Sequence, residues 1–263
     1  MSIQLELTRL QANAASISSS KDDIMTALAS KGVTVPSGAT LHDVPSLIGQ
    51  INGSAPEPPT PTPTISSVNI GGRDYKTVII GNQEWLAENL DYKFVVDGDI
   101  IPIGESGNPS TPSAWYYDND EANYGIDGTY KCGLLYNWYA AKYLDNNKST
   151  LLPDGWHVPS NSDWITLRHR VGMSTGGTKL KAVDDSITLG YPSGWNGDDD
   201  YEFNALPAGY HLSSFSGNGS ITGIWSTSEY ESTYGYYYQM NTGGSIFGDT
   251  HTKEYGYSIR LVR

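Results

Sequence analysis

The residues able to do covalent or metal chemistry are few and poorly spaced for it. Cysteine occurs once, as Cys132, so no intramolecular disulfide and no multi-cysteine metal site can form. The five histidines, His42, His157, His169, His211 and His251, show no His-x-His or His-Glu-x-x-His spacing, and no Gly-x-Ser-x-Gly elbow occurs. The expectation is a protein that is not an enzyme. Hard oxygen ligands gather in Trp195-Asn196-Gly197-Asp198-Asp199-Asp200-Tyr201, where calcium would find carboxylates, but the stretch lacks the position-by-position EF-hand pattern. No cofactor is therefore assigned, calcium being the one candidate, and a solvated acidic loop is the simpler reading.

Recognition chemistry is denser. The stretch Ser226 to Ser258, STSEYESTYGYYYQMNTGGSIFGDTHTKEYGYS, combines tyrosine, which gives rigid contact area at low entropic cost, with Ser, Asn and Gly, which adapt their hydrogen bonds. If Tyr234 to Asn241 is extended, Tyr236, Tyr238 and Met240 share one face and Tyr237, Gln239 and Asn241 the other. The methionine marks the core face. Tyr237, Gln239 and Asn241 are then expected to meet a ligand, with Tyr230, Ser232, Tyr234, Ser245, Phe247, Asp249, His251, Lys253 and Tyr255 from the flanking loops. A Tyr-rich strand pair that only packs is the competing explanation. Trp115-Tyr116-Tyr117 is a second candidate, for carbohydrate, whereas Trp85, Trp138, Trp156, Trp164 and Trp225 read as core.

The composition agrees with a binding protein. In 263 residues, 19 Tyr and 7 Trp stand against 4 Phe, and 29 Gly with 14 Pro favour short elements and shaped loops. A net charge of −13 opposes nucleic acid and anionic membrane surfaces alike. No run approaches the roughly 18 apolar residues of a membrane span, and the first residues, MSIQLELTRLQANAAS, lack the features of a signal peptide. Synthesis in the cytoplasm without membrane insertion is expected.

The elements that must position these residues fall on either side of SAPEPPTPTPT (54–64), whose five prolines suit a stiff extended spacer. Three parts are expected: a helical module over 1–52, a linker over 53–64 and a ligand-binding domain over 65–263. In the module, Ile3, Leu5, Leu7 and Leu10 begin a helical reading, Ile24, Met25 and Leu28 resume it, and Leu41 to Ile51 forms another helix. So small a core invites self-association. Beyond the linker, Val68 to Ile70 and Tyr75 to Ile80 read as strands around Gly71-Gly72, and Gly81-Asn82 as another turn leading into Glu84 to Leu90. The run 133–144 reads as a buried helix, Ser160 with Asp163 as a helix start, 172–228 as mostly loop, and Tyr257 to Val262 as an alternating terminal strand.

Six blocks, VNIGGRDYKTVIIGNQEWLAENL (68–90), CGLLYNWYAA (132–141), GWHVPSNSDWITL (155–167), NALPAGYH (204–211), IWSTSEY (224–230) and YGYSIRLVR (255–263), resemble in order the Fibrobacter succinogenes major paralogous domain family. That family is related to formylglycine-generating enzymes and similar to the variable proteins of diversity-generating retroelements, including phage tropism determinants. The resemblance implies an α+β chain with the C-type lectin fold, in which the first and last strands pair and long loops present the ligand surface. The block ending ALASKGVTVPSGATLHDVPSLIGQI (27–51) resembles a phage tail-fibre module. Together these imply a receptor-binding adhesin of a virion tail, assembled as a homotrimer, with a host cell-surface protein or glycan as partner. A bacterial surface or secreted carbohydrate-binding protein is the alternative. The paired copper-binding cysteines of formylglycine-generating enzymes cannot be carried over to a chain holding only Cys132.

Overall fold

The computed structural model describes residues 24–26, 29, 35, 63–104, 110–121, 132–183 and 194–263. The chain divides into two units, Met1–Pro61 and Thr62–Arg263. In the first, residues 24–26 and 29 are helical, within the run read as a helical restart. The other helices of the module, its role in self-association and all but the last two residues of the linker lie outside the described residues.

The second unit is α+β. Strands β1 (Ile65–Ile70), β2 (Arg73–Ile80) and β3 (Gln83–Leu86) form an antiparallel sheet in that order. Its two hairpins close on two-residue turns, Ile70 opposite Arg73 and Ile80 opposite Gln83. Gly71 and Gly72 both have positive φ, +59° and +88°, as the tightest hairpin turn requires. Two short pairs follow, β4 (Val95–Val96) with β5 (Asp99–Ile100) and β6 (Ala114–Trp115) with β7 (Leu135–Tyr136).

The helix expected over 133–144 starts later, as α1 (Trp138–Asn146). Leu135 and Tyr136 are taken up by the pairing with β6, and the Asn137 side chain accepts the Ala140 N–H at 2.9 Å, which fixes the start. Helix α1 is also one-sided, burying Trp138, Ala140, Ala141 and Leu144. After α2 (Lys148–Leu151), helix α3 (Asn161–Val171) begins where the sequence indicates. Ser160 Oγ accepts the Asp163 N–H while the Asp163 carboxylate accepts the Ser160 N–H at 2.8 Å, a reciprocal cap. Burial works against the Asp163 charge, but hydrogen bonds from His157 and Ser160 outweigh it and hold its pKa at about 2.

The stretch 172–228, expected to be mostly loop, carries α4 (Gly176–Leu180), β8 (Ala208–His211), β9 (Phe215–Asn218) and the start of β10 (Ile221–Glu231). The short strands AGYH and FSGN carry too little apolar alternation to announce themselves. With β11 (Tyr234–Asn241) and β12 (Phe247–Thr252) they make a five-stranded sheet in the order β12-β11-β10-β8-β9, antiparallel except where β10 meets β8.

Residues 256–263 close the domain. The terminal segment hydrogen-bonds to Glu84, Leu86 and Leu90 at one end and to Tyr136, His211, Gly223 and Trp225 at the other, and exchanges two bonds between Val262 and His157. Its partner in the first sheet is thus β3, next to the hairpin strands expected to lie beside it. The alternation of Tyr257 to Val262 does not separate core from solvent, because every side chain is buried. It separates two cores. Tyr257, Ile259 and Leu261 join Trp138, Trp156 and Trp225, while Val262 joins Trp85, Trp164 and Trp195. All five tryptophans read as core are core.

Arg260 is fully buried. Its guanidinium donates to Asn89 Oδ1 (2.9 Å) and to the carbonyls of Leu86 (3.1 Å), Asn204 (2.8 Å) and Phe203, and it lies 4.2 Å above the Phe203 ring. Burial lowers its pKa to about 9, opposed by the carboxylates of Asp199 and Glu88. Replacing Arg260 with Met strands these acceptors, and a loss of roughly 3–5 kcal/mol is expected in urea unfolding. A loss below about 1 kcal/mol would show that water replaces the guanidinium without penalty.

Burial also raises Asp199, to about 7, although the Asn204 N–H and Arg260 pull the other way. A carboxyl whose folded pKa exceeds its unfolded value of about 3.9 favours the folded state below pH 4, and that contribution is lost as pH rises through 7. The stability difference between the wild type and Asp199→Asn should therefore shift against the wild type between pH 4 and 7. Parallel pH profiles for the two proteins would refute this.

Candidate functional site

Cross-strand register decides which side chains share a face. Gln239 lies opposite Phe247, Tyr237 opposite Asp249 and Gly235 opposite His251, so these residues point the same way. Gly235 can carry no side chain, because a Cβ there would sit 2.4 Å from the Trp138 ring. On this face Tyr237 and Tyr257 stack at 4.6 Å and 4°, with the Trp225 ring edge-on to both. That buried trio is a floor. The half-exposed rings of His251, Tyr255 and Tyr210 surround it, His251 lying 3.6 Å from Tyr255 and Tyr255 lying 6.0 Å from Tyr210.

A second cluster lies across the backbone of Gly256, where a Cβ would be 3.0 Å from the Trp115 ring and 3.1 Å from the His211 side chain. Trp115 stacks on His211 at 4.4 Å, His211 meets Phe215 at 4.5 Å, and Phe215 meets Tyr117 at 5.3 Å. The two patches read separately in the sequence, the C-terminal block and Trp115-Tyr116-Tyr117, thus remain two clusters: Tyr210 belongs to the first, while His211, the next residue of β8, turns with Phe215 to the second. Trp115 and Tyr117 are buried and Tyr116 is half-buried. Sequence reasoning missed Tyr210, which extends the first cluster, and His211 and Phe215, which extend the second. Their signal was three rings within six residues of the fourth family-like block and the loop after it.

Polar groups are sparse along both clusters. Burial lowers the pKa of His211 and of His251 and so disfavours their charged forms, Asp249 opposing it at His251. His211 Nδ1 is buried without a hydrogen-bond partner among the described residues. Asp249 is exposed and supplies charge, and half-buried Gln239 supplies an amide.

The expected contact residues divide into groups. Phe247, at 49% exposure, lies on the aromatic face with Gln239, Asp249, His251 and Tyr255. Tyr234 and Tyr230, the latter 59% exposed, belong to the opposite face, where Tyr230 packs edge-on against Tyr236 at 5.7 Å. Ser232 is exposed at the turn between β10 and β11. Asn241 and Ser245 shape the next turn, Asn241 Oδ1 accepting the Gly243 N–H at 2.8 Å and Ser245 Oγ donating to the Ser174 carbonyl at 3.1 Å. Lys181 anchors the same turn from beneath, donating to the carbonyls of Asn241 (2.9 Å) and Gly243 (3.0 Å).

Two expected contacts point inward instead. Tyr237 is 7% exposed, because Tyr257 of the terminal segment covers the face that parity assigned to ligand. Lys253 is 4% exposed; its ammonium donates to Glu229 (2.6 Å) and the Ser232 carbonyl (2.8 Å) and sits 4.4 Å from the Trp138 ring centre. Both support the surface from below.

The other chemical candidates are turned to structural use. Asp199 accepts the Asn204 N–H at 2.7 Å, and Trp195 is buried with its indole N–H on the Ala205 carbonyl. Among the described residues no group of three or more His, Cys, Asp or Glu is arranged to hold a metal ion. The Cys132 thiol is buried and its pKa raised by that burial, the opposite of what activates a nucleophilic cysteine.

No curated protein and no solved structure gives a significant match to the chain. Residues 78–263, the greater part of the chain and all of β3 to β12, match the Fibrobacter succinogenes major domain. The chain belongs to the Fibrobacter succinogenes major domain family.

Proposed function

We propose that this chain is a non-catalytic adhesin, with residues 65–263 binding a cell-surface ligand through the aromatic face of the five-stranded sheet. One observation carries the reading: half-exposed rings of Tyr210, His251 and Tyr255, with exposed Phe247 on the same face, lie on a rigid buried floor of Tyr237, Tyr257 and Trp225. Monomeric proteins seldom leave such a surface without use, and aromatic side chains with a polar handle are enriched where proteins bind partners. Their rotamers are already restricted by stacking, so little entropy remains to be lost on binding.

The domain itself is read as a variant of the C-type lectin fold. Support comes from the return of the terminal segment to β3, beside the N-terminal hairpin, and from helices α1 and α3 flanking the sheets. Carriage on a virion tail through an oligomeric N-terminal module is part of the same proposal, motivated by the module's sequence. A bacterial surface protein binding carbohydrate would use the same face. Binding to intact bacterial cells alone favours the first carrier, and binding to purified polysaccharide favours the second.

Alanine at Phe247 or Tyr255 should weaken binding to intact cells or a glycan array by roughly tenfold or more, the scale of an aromatic contact residue. Melting temperatures should stay close to that of the wild type. Tyr257→Ala, which removes the floor, should instead cost roughly 3–5 kcal/mol of stability. Unchanged affinity in both surface variants would remove the aromatic face as the binding site.

A further inference from the structure

We propose that the outer edge of β12 is a pairing surface for the same strand of a second copy of this chain. Strand β12 ends the five-stranded sheet, with β11 on its inner side. The direction of its amides follows from bonds further in. The Trp225 N–H and the Gly223 carbonyl engage Ser258, so the hydrogen-bonded pairs of β10 with β11 are Thr222 with Met240 and Ile224 with Tyr238. By alternation Gln239, Tyr237 and Gly235 turn their amides towards Phe247, Asp249 and His251. Gly248, Thr250 and Thr252 therefore direct theirs out of the sheet.

Two of these outward amides are held by the side chain that precedes them. The Thr250 N–H donates to Asp249 Oδ1 at 2.8 Å, and the Thr252 N–H donates to His251 Nδ1 at 3.1 Å. Such local bonds compete with sheet pairing and restrain an open edge. A neighbouring strand can replace them one for one, because each amide exchanges a side-chain acceptor for a backbone carbonyl.

The sequence FGDTHT also selects a register. With two copies of β12 antiparallel about a two-fold axis, Thr250 faces Thr250 of the second copy and Gly248 faces its Thr252, so all outward amides meet outward carbonyls. Asp249 then faces His251 of the second copy, twice, as the closer non-hydrogen-bonded pair, about 4.5 Å between Cα atoms. A carboxylate opposite an imidazole and threonine opposite threonine are favourable cross-strand pairs. The neighbouring registers of the same parity place Asp249 against Asp249 or His251 against His251. The proposal goes beyond the recognition reading and does not depend on what the aromatic face binds.

The test uses the full chain with Thr250→Cys and a short bis-maleimide; Cys132, the other thiol, is buried. Paired strands should give a covalent dimer roughly a hundredfold faster than a Thr252→Cys control, since pairing raises the local thiol concentration from micromolar to millimolar. Adding Asp249→Lys to Thr250→Cys should bring the rate down to that of the control. Equal rates for Thr250→Cys and Thr252→Cys, or no dimer from either, would overturn the pairing, and indifference to Asp249→Lys would overturn the register.

Discussion

A guanidinium that is wholly buried needs acceptors for its N–H groups, and the four acceptors that Arg260 finds organise this domain. Its four acceptors come from three places: the Leu86 carbonyl at the end of β3, the Asn89 side chain just beyond it, and the Phe203 and Asn204 carbonyls from the loop ahead of β8. That loop turns through positive φ at Asp199, Glu202 and Asn204, conformations that non-glycine residues adopt at a cost. Asp199 holds the turn by accepting the Asn204 N–H. An acidic run that reads as a solvated loop is thus part of the housing of a cation that the chain itself supplies.

The same segment explains why two cores coexist. Residues 257–262 run between them and send alternate side chains to each, so a polar residue in the pattern need not face water. Ser258 and Arg260 are buried because Asn89 bonds to both. Period-two patterning gives the sides of a strand correctly, as for Tyr238 and Met240 against Tyr237, yet it cannot say that both sides are covered. The outward assignment of Tyr237 failed for that reason: its cover, Tyr257, arrives from a segment 20 residues further along.

Local signals were legible where a residue acts on its near neighbours. Gly71-Gly72 closed the expected hairpin, and Ser160 with Asp163 opened the expected helix. The Asn137 cap is equally local, but apolar residues stand on both sides of it, so hydrophobic spacing runs on from 133 while the helix begins only after the cap. Strands β8 and β9 were illegible although they pair with each other, because they are short and each carries a glycine with positive φ, Gly209 and Gly217. The aromatic clusters were half legible. The C-terminal rings show as composition, while Tyr210 joins them, and His211 and Phe215 join Trp115 and Tyr117, only through contacts made across the fold.

The turn between β11 and β12 is held by its main chain. Lys181 grips the carbonyls of Asn241 and Gly243, and the Thr178 N–H donates to the carbonyl of Gly244. Carbonyls are common to all residues, so the grip reads position and ignores identity. Thr242, exposed at the crest of this turn, can change its side chain without loosening either anchor. Conformation and chemical identity are thereby inherited separately at this point of the chain: the scaffold fixes where a side chain stands, and the codon is free to choose which one it is.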